Sequence, residues 1–311
     1  MLATPGALPA PADGAWAYEV KWDGMRVLAT VSHGRFRLVS RGGTDVTSRF
    51  PEVAAAVPEG LAEGSVVDGE LVLFDAAGRP SFELLAPRIQ RAPQRLITAP
   101  VTFVAFDLLR SGGDDLLERP YDERRLRLIA LGTVGERVLA PDSFDDGAAL
   151  ARTMLAQGWE GVVAKRRASP YRPGVRSADW IKVPHRVTHP VVVGGWKSRD
   201  DAPNRLMSLL VGAPTDDGML RYEGAVGSGM SEAELRTVTT VLRDIARAQS
   251  PFHGYPAPEA VHGQTLHWVE PVLVVDVEHL GRTANSLLRQ PTVARFRPDL
   301  AYADLVAGPG A

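Results

Sequence analysis

The spacing of apolar and polar positions predicts a strand-rich chain with a few helices between the strands. Short apolar runs bounded by turn residues predict five strands in the first half: Trp16–Lys21, Met25–Ser32, Arg35–Ser40, Ser65–Asp75 and Val101–Leu109. Asp23-Gly24 and His33-Gly34 separate the first three strands and predict turns. Apolar residues at helical spacing predict helices at Tyr121–Ala130 and Ala148–Gln157.

The second half of the chain has the same strand-rich character, with one clear helix. Four strands are predicted: Val191–Trp196, Leu206–Gly212, Met219–Val226 and Trp268–Glu278. Ser231 and Glu234 form a capping box at the start of a helix that continues to about Ile245. Several strands and one helix in about 120 residues suit a small closed barrel of the OB type.

The polar stretch between the two halves predicts the domain organisation. His185–Pro190 follows the apolar residues around Trp180 and is interpreted as an interdomain linker. The sequence therefore predicts an α+β protein with two domains. Residues 1–186 would form antiparallel sheets with flanking helices, and residues 187–311 would form the OB-fold barrel.

Composition limits the class of protein and of chemistry. The 311 residues are 45% hydrophobic and 23% charged, as in an ordinary globular protein. The absence of cysteine excludes disulfides, zinc knuckles and thiol catalysis. The N-terminus lacks the features of a secretion signal, and no apolar run approaches the roughly 18 residues of a membrane span. We expect a cytoplasmic, monomeric protein.

Lysine is rare in this chain, which makes each lysine conspicuous. Only four of the 35 basic residues are lysine: Lys21, Lys165, Lys182 and Lys197. Arginine stays protonated in proteins, whereas a lysine amine can lose its proton and act as a nucleophile. Lys21 lies two residues before Asp23, so both would project from one face of an extended strand. A surface ion pair is the simpler explanation of Lys21, and the sequence around it alone does not decide between the two.

Five further segments carry residues suited to phosphate or base binding. They are Ser40-Arg41-Gly42-Gly43, Asp68-Gly69-Glu70, Phe103–Asp107, Glu160–Arg166 and Trp180-Ile181-Lys182. Taken one at a time, each has a structural explanation: a turn, a core aromatic residue or a simple salt bridge. In addition, Glu160–Arg205 holds ten basic residues against four acidic ones, which is either a solvated face or a phosphate-binding surface.

The order of these motifs resembles that of ATP-dependent DNA ligases of the covalent nucleotidyltransferase superfamily. Lys21–Arg26 matches the first motif of that superfamily, Lys-x-Asp-Gly-x-Arg, and the other five segments follow in register. The segments Val191–Trp196, Gly224–Gly229 and Leu287–Gln290 extend the match into the second half. The chain is most similar to the ligase domain of bacterial ligase D, which acts in non-homologous end joining, and the resemblance covers nearly all of it.

The resemblance implies a role for each matched residue. Lys21 would attack the α-phosphate of ATP and carry AMP, and Glu160 and Asp23 would bind Mg²⁺ or Mn²⁺. The other ATP contacts would be Glu19 to adenine, Phe106 stacked on the base, Arg26 and Glu70 at the ribose, Arg41 at a phosphate, and Lys182 and Lys165 balancing charge at the reacting phosphorus. Arg297 and Asp299 belong to the sixth motif, which orients pyrophosphate. Lys197, Arg199 and Arg205 would contact DNA phosphates.

Two positions depart from the family pattern. Pro184 replaces a second lysine of the fifth motif, and Leu300 replaces the lysine that commonly ends the sixth motif. These departures predict self-adenylylation that is either slow or dependent on Arg186, Arg295 and Arg297 instead. No polymerase or nuclease motif accompanies the ligase motifs, so we expect those activities, and a Ku-like end-binding protein, to come from separate partners or a longer parent chain. We expect nicked or broken duplex DNA as substrate and a location at the bacterial nucleoid.

Two other classes of protein remain open from the sequence. An RNA ligase or a capping-type guanylyltransferase shares Lys-x-Asp-Gly, and a comparison of ATP with GTP would separate these enzymes from a DNA ligase. A non-catalytic module that binds nicks or ends is suggested by Pro184 and Leu300. The presence of Lys21, Glu70 and Glu160 speaks against it.

Overall fold

The computed structural model describes residues 1–10, 14–90, 100–130, 137–254, 256–283 and 285–306. The chain divides into two compact units, Met1–His185 and Arg186–Ala311. Within the described residues, no helix is both long and apolar enough to span a membrane.

The first unit contains two sheets. A four-stranded sheet has the order β1-β10-β9-β2, formed by β1 Leu2–Pro5, β2 Trp16–Val20, β9 Gly161–Arg166 and β10 Arg176–Pro184. A six-stranded sheet has the order β4-β3-β5-β6-β7, with β8 beside β6. Its strands are β3 Met25–Ser32, β4 Arg35–Ser40, β5 Val66–Val72, β6 Thr102–Ser111, β7 Asp114–Asp115 and β8 Val138–Leu139.

Helices cover these sheets and bury their apolar faces. They are α1 Pro51–Ala54, α2 Phe82–Gln90, α3 Tyr121–Ala130 and α4 Gly147–Ala156. Alternate residues of β3, such as Val27, Ala29 and Val31, enter the core of the larger sheet. Leu150 and Met154 of α4 pack on the smaller sheet. The predicted helices α3 and α4 are confirmed, whereas the sequence analysis found neither α1 nor α2.

The second unit is one seven-stranded sheet with the order β14-β16-β11-β12-β13-β15, and β17 pairs with β16. Its strands are β11 Val187–Arg199, β12 Ser208–Pro214, β13 Leu220–Val226, β14 Ala246–Arg247, β15 Phe252–His253, β16 Gln264–His279 and β17 Thr292–Phe296. Its helices are α5 Glu232–Asp244 and α6 Tyr302–Val306. The predicted capping box is present: the Ser231 side chain accepts a hydrogen bond from the Glu234 N–H, and the Glu234 carboxylate accepts one from the Ser231 N–H.

One local prediction holds in part and another was wrong: the boundary between the two units falls between His185 and Arg186, inside the predicted linker. The predicted linker is partly strand, because Val187–Pro190 pairs with β16 from Asp276 to His279. The polar His189 side chain is accommodated there by His279, whose Nε2 lies 2.9 Å from His189 Nδ1. The first predicted strand ends at Val20, so Lys21 and Asp23 lie on a loop instead of on one face of a strand.

Candidate active site

Lys21 lies immediately after β2, beside the start of β9. The antiparallel pairing of Val20 with Val162 brings these two chain segments together, and the Lys21 N–H donates to the Gly161 carbonyl at 2.9 Å. The Lys21 ammonium forms a salt bridge with the Glu160 carboxylate, and both side chains are largely buried. The structure thus joins the predicted nucleophile to a predicted metal ligand.

Arg26 of β3 is held by a carboxylate that the sequence analysis gave no role. Both oxygens of Asp68 accept hydrogen bonds from Arg26, at 2.9 and 2.5 Å. The Tyr171 hydroxyl donates to the same carboxylate at 2.8 Å. The guanidinium carbon lies 5.5 Å from the centroid of the Phe106 ring and 5.6 Å from that of Trp180. Arg26 is therefore fixed beside the predicted base platform.

Glu70 lies directly opposite Arg26 across β3 and β5. Burial raises the pKa of the Glu70 carboxyl to about 8, and the positive charges of Lys21 and Arg26 oppose that shift. The free protein therefore holds a large fraction of Glu70 as the neutral acid at pH 7. A neutral carboxyl group can donate one hydrogen bond and accept others, as binding to sugar hydroxyls requires.

A second buried group surrounds Glu19, at the end of β2. One oxygen of Glu19 accepts a hydrogen bond from Tyr121, and the other lies 2.7 Å from the Lys165 ammonium. Lys165 also donates to the Phe106 carbonyl at 3.1 Å. Burial lowers the pKa of Lys165, and Glu19 opposes the shift. This arrangement does not support the predicted charge balancing by Lys165 at phosphorus, since its ammonium is bound to Glu19.

These groups meet in one cavity of about 210 Å³ between the two sheets. Lys182 of β10 lines it, and burial together with the charges of Lys21 and Arg176 lowers the pKa of Lys182. The cavity contains eight of the predicted site residues: Glu19, Lys21, Arg26, Arg41, Glu70, Phe106, Lys165 and Lys182. Carboxylates, cations and aromatic rings together suit a nucleotide.

Asp23, the second predicted metal ligand, is placed differently from Glu160. Its Oδ2 accepts a hydrogen bond from the Phe82 N–H at 3.3 Å, whereas Glu160 binds Lys21, and neither carboxylate is among the residues that line the cavity. Within the described residues, no group of three or more acidic or histidine side chains could hold a metal by itself. An ion at Glu160 would therefore need oxygen ligands from the substrate and from water.

The remaining predicted residues lie in the second unit, each with a partner there. Arg297 binds Asp299 at 2.7 Å and Asp276 at 3.2 Å. The predicted DNA-binding residues are paired as well: Lys197 with the Glu259 carbonyl, Arg199 with Asp201 and Arg205 with Glu232. Leu300 packs on an apolar cluster that contains Val192, Leu210 and Phe252.

Three residues of the site network received no role from the sequence: Asp68, Tyr121 and Tyr171. Asp68 and Glu70 lie two positions apart on β5. The sequence analysis noted this acidic segment but assigned no role to Asp68. The two tyrosines lie more than 90 positions from their carboxylate partners. No local pattern could indicate those contacts.

Comparisons with known proteins agree with this geometry. The family described as "ATP dependent DNA ligase domain" matches residues 5–183, and "ATP dependent DNA ligase C terminal region" matches residues 202–300. The chain is 38% identical over 308 residues to the "Multifunctional non-homologous end joining protein LigD" of Mycobacterium bovis, covering 98% of this chain and 39% of that protein. It is 32% identical to "DNA ligase C" of Mycobacterium tuberculosis, covering 79% of this chain and 70% of that protein.

Solved structures give the same result. A "mycobacterial DNA ligase D complexed with ATP and MES" is 38% identical, with a TM-score of 0.56, over 98% of this chain and 96% of that one. The ligase domain of M. tuberculosis LigD is 37% identical with a TM-score of 0.55, again over 98% and 96%. The chain spans about two fifths of the length of the LigD relatives that it matches. With its nucleotidyltransferase domain followed by an OB-fold domain, the chain belongs to the ATP-dependent DNA ligase family.

Proposed function

We propose that this protein seals breaks between a 5′-phosphate and a 3′-hydroxyl in duplex DNA through a lysyl-AMP intermediate. The observation that carries the proposal is the position of Lys21, which lines a cavity whose other walls suit a nucleotide and forms a salt bridge with Glu160. Membership of the DNA ligase family supports it.

In the first step the Lys21 ammonium releases a proton to its partner Glu160, and the neutral amine then attacks the α-phosphorus of ATP while the bond to pyrophosphate breaks. Glu160 holds the amine in place before the reaction. Lys182 lines the same cavity and adds positive charge as the phosphorus gains a fifth ligand. The resulting phosphoramidate carries AMP.

The same cavity offers partners for the rest of the nucleotide. Phe106 provides a ring face for the base, and Glu19 an acceptor for the adenine amine. Arg26 and Glu70 lie opposite each other and suit the ribose hydroxyls. Arg41 lies at the cavity wall with its side chain exposed, where it can bind a phosphate.

A divalent cation fits the donor set around Glu160. The carboxylate and the ATP phosphates are hard oxygen ligands, as Mg²⁺ and Mn²⁺ prefer, and Mg²⁺ sites commonly use one or two carboxylates with substrate phosphates and water. Bound there, the ion would neutralise charge on the phosphates. Asp23, whose Oδ2 accepts from the Phe82 N–H, is the proposed second contributor.

The later steps use DNA. AMP passes from Lys21 to the 5′-phosphate of the break, and the 3′-hydroxyl then displaces AMP and seals the strand. Lys197, Arg199 and Arg205 would contact the DNA backbone without reading sequence. The names of the LigD relatives support a role in end joining. A Ku-like partner, and polymerase and nuclease activities supplied by other domains or proteins, belong to the same proposal.

Incubation with α-labelled ATP and Mn²⁺, followed by ligation of a labelled nicked duplex, tests the proposal. We expect an AMP adduct that is labile in acid and stable in alkali, and a sealed strand. Lys21→Arg keeps the charge but cannot supply a neutral amine, so it should abolish both. Lys197→Arg is the matched control and should retain the adduct. Wild-type-like adduct formation by Lys21→Arg would refute the mechanism.

A further inference from the structure

Both oxygens of Glu19 are already occupied in the free protein. Tyr121 donates to Oε1, and the Lys165 ammonium lies 2.7 Å from Oε2. The Glu19 side chain is 7% exposed and that of Lys165 only 2%. A carboxylate has about four acceptor positions, so two remain for a ligand in the cavity.

The partners of Glu19 are themselves fixed. The Lys165 ammonium lies 4.4 Å from the centroid of the Trp180 ring and 4.6 Å from that of Phe106. Tyr121 begins α3, which is anchored by the buried ion pair of Arg124 with Asp107 at 2.7 Å. Burial and the neighbouring Glu19 raise the pKa of Tyr121, so its hydroxyl remains a donor. Rotation of Glu19 would break both contacts.

We propose that Tyr121 is a positioning residue for base selection, an inference that rests on the proposed use of ATP. With Lys165 it fixes the Glu19 carboxylate so that its oxygens accept hydrogen bonds from the 6-position of a purine. Tyr121 does not line the cavity, whereas Glu19 and Lys165 do. Tyr121 therefore acts on the base only through Glu19.

This geometry distinguishes adenine from guanine by whether the group at the 6-position of the purine donates or accepts a hydrogen bond. The 6-amino group of adenine donates, and a fixed carboxylate accepts from it. The 6-carbonyl oxygen of guanine only accepts, so it meets a negative charge without a proton between the two. A site whose buried polar groups are left unpaired rejects such a ligand strongly. A carboxylate free to rotate would lose part of this discrimination.

The test compares enzyme variants with nucleotide analogues in adduct formation. Tyr121→Phe removes one hydroxyl and keeps the ring. We expect the ATP concentration for half-maximal adduct formation to rise on the order of tenfold. For purine riboside triphosphate, which lacks the 6-amino group, the same substitution should change that concentration by less than about twofold, because no hydrogen bond to Glu19 is at stake. The preference for ATP over GTP should fall.

Tyr18→Phe is the matched control, since it also removes a buried tyrosine hydroxyl, bound to the Pro9 carbonyl at 2.9 Å. It should leave unchanged the concentrations of ATP and of purine riboside triphosphate that give half-maximal adduct formation. If Tyr121→Phe raises the half-maximal concentrations of ATP and of the analogue equally, or raises neither, the inference is wrong. Glu19→Gln provides a second variant: an amide can donate to a carbonyl oxygen, so it should gain GTP use, and failure to gain it would also count against the inference. Absence of any adduct in the wild-type protein would instead refute the proposed function.

Discussion

Arg26 and Asp68 form a bidentate ion pair in which the carboxylate is completely buried while the guanidinium remains 24% exposed toward the nucleotide cavity. Asp68 therefore sets the orientation of Arg26 from inside the protein. This relationship explains how a residue without access to substrate can affect nucleotide binding.

Asp68→Asn should impair both stability and nucleotide binding. It leaves a partly buried guanidinium without its counterion, and breaking a buried pair costs roughly 3–5 kcal/mol. We expect a lower free energy of unfolding, measured with denaturant, and a higher KM for ATP. Asp45→Asn breaks the exposed pair of Arg37 with Asp45 and should cost less than about 1 kcal/mol. Equal effects of the two substitutions would contradict this explanation.

Glu70→Gln should change how stability depends on pH. The folded-state pKa of Glu70, about 8, lies above its usual value of 4.5. Between these values the folded state binds more protons than the unfolded state, so Glu70 makes the protein less stable as pH rises. Because Gln does not titrate, the variant should gain stability relative to wild type from pH 4.5 to 8, by at most about 1.4 kcal/mol per pH unit.

Glu52→Gln is the control, because the pKa of Glu52 is shifted in the opposite direction to that of Glu70. Burial opposes the effect, but hydrogen bonds from Arg88 lower the pKa of Glu52. Glu52 therefore adds stability as pH rises toward its usual pKa of 4.5, and its replacement by Gln should lose stability relative to wild type in the window just below that pH. Denaturant unfolding from below pH 4.5 up to pH 8 measures both differences. A parallel pH course for the two variants would contradict the assigned shifts.

Neutralising Lys197 and Arg199 should weaken the salt dependence of DNA binding. Both lie at the C-terminal end of β11, and the Arg199 side chain is 66% exposed. Each lost phosphate contact reduces the slope of log K against log salt by about 0.9. We expect a slope smaller by nearly 2 in the Gln double variant on nicked duplex, with adduct formation unchanged. Arg37→Gln with Arg79→Gln, two exposed paired arginines of the first unit, is the matched control. An unchanged slope would place the DNA surface elsewhere.

Leu300→Lys should destabilise the second unit without speeding adenylylation. The sequence suggested a missing cation at this position, but the side chain is partly buried and packs on the cluster around Val192 and Leu210. We expect a loss of about 1–2 kcal/mol in unfolding free energy and an unchanged single-turnover rate of adduct formation. Leu300→Met preserves the packing and should lose less than about 1 kcal/mol. Faster adduct formation by Leu300→Lys at unchanged stability would show that the missing ammonium limits the first step.

Much of the fold followed from local patterns. Strands β3 and β4, helix α3 and the capping box of α5 agree with their predicted positions because side-chain alternation and cap chemistry act over a few residues. The loop at Lys21 did not follow from such a pattern. The alternation of apolar residues continues past Val20. The strand ends there because its pairing with β9, about 140 positions later in the chain, ends at Val20 and Val162.

The sequence by itself determined the reactive groups of this chain, which are the lysine of the Lys-x-Asp-Gly motif and the acidic and basic motifs that follow it in order. It also determined that both halves are rich in strands. Only the tertiary structure decided which charges neutralise each other. Glu160 pairs with Lys21, Glu19 with Lys165 and Asp68 with Arg26. The physical reason is that a buried charge needs a partner in space, and strand pairing brings that partner from any distance along the chain.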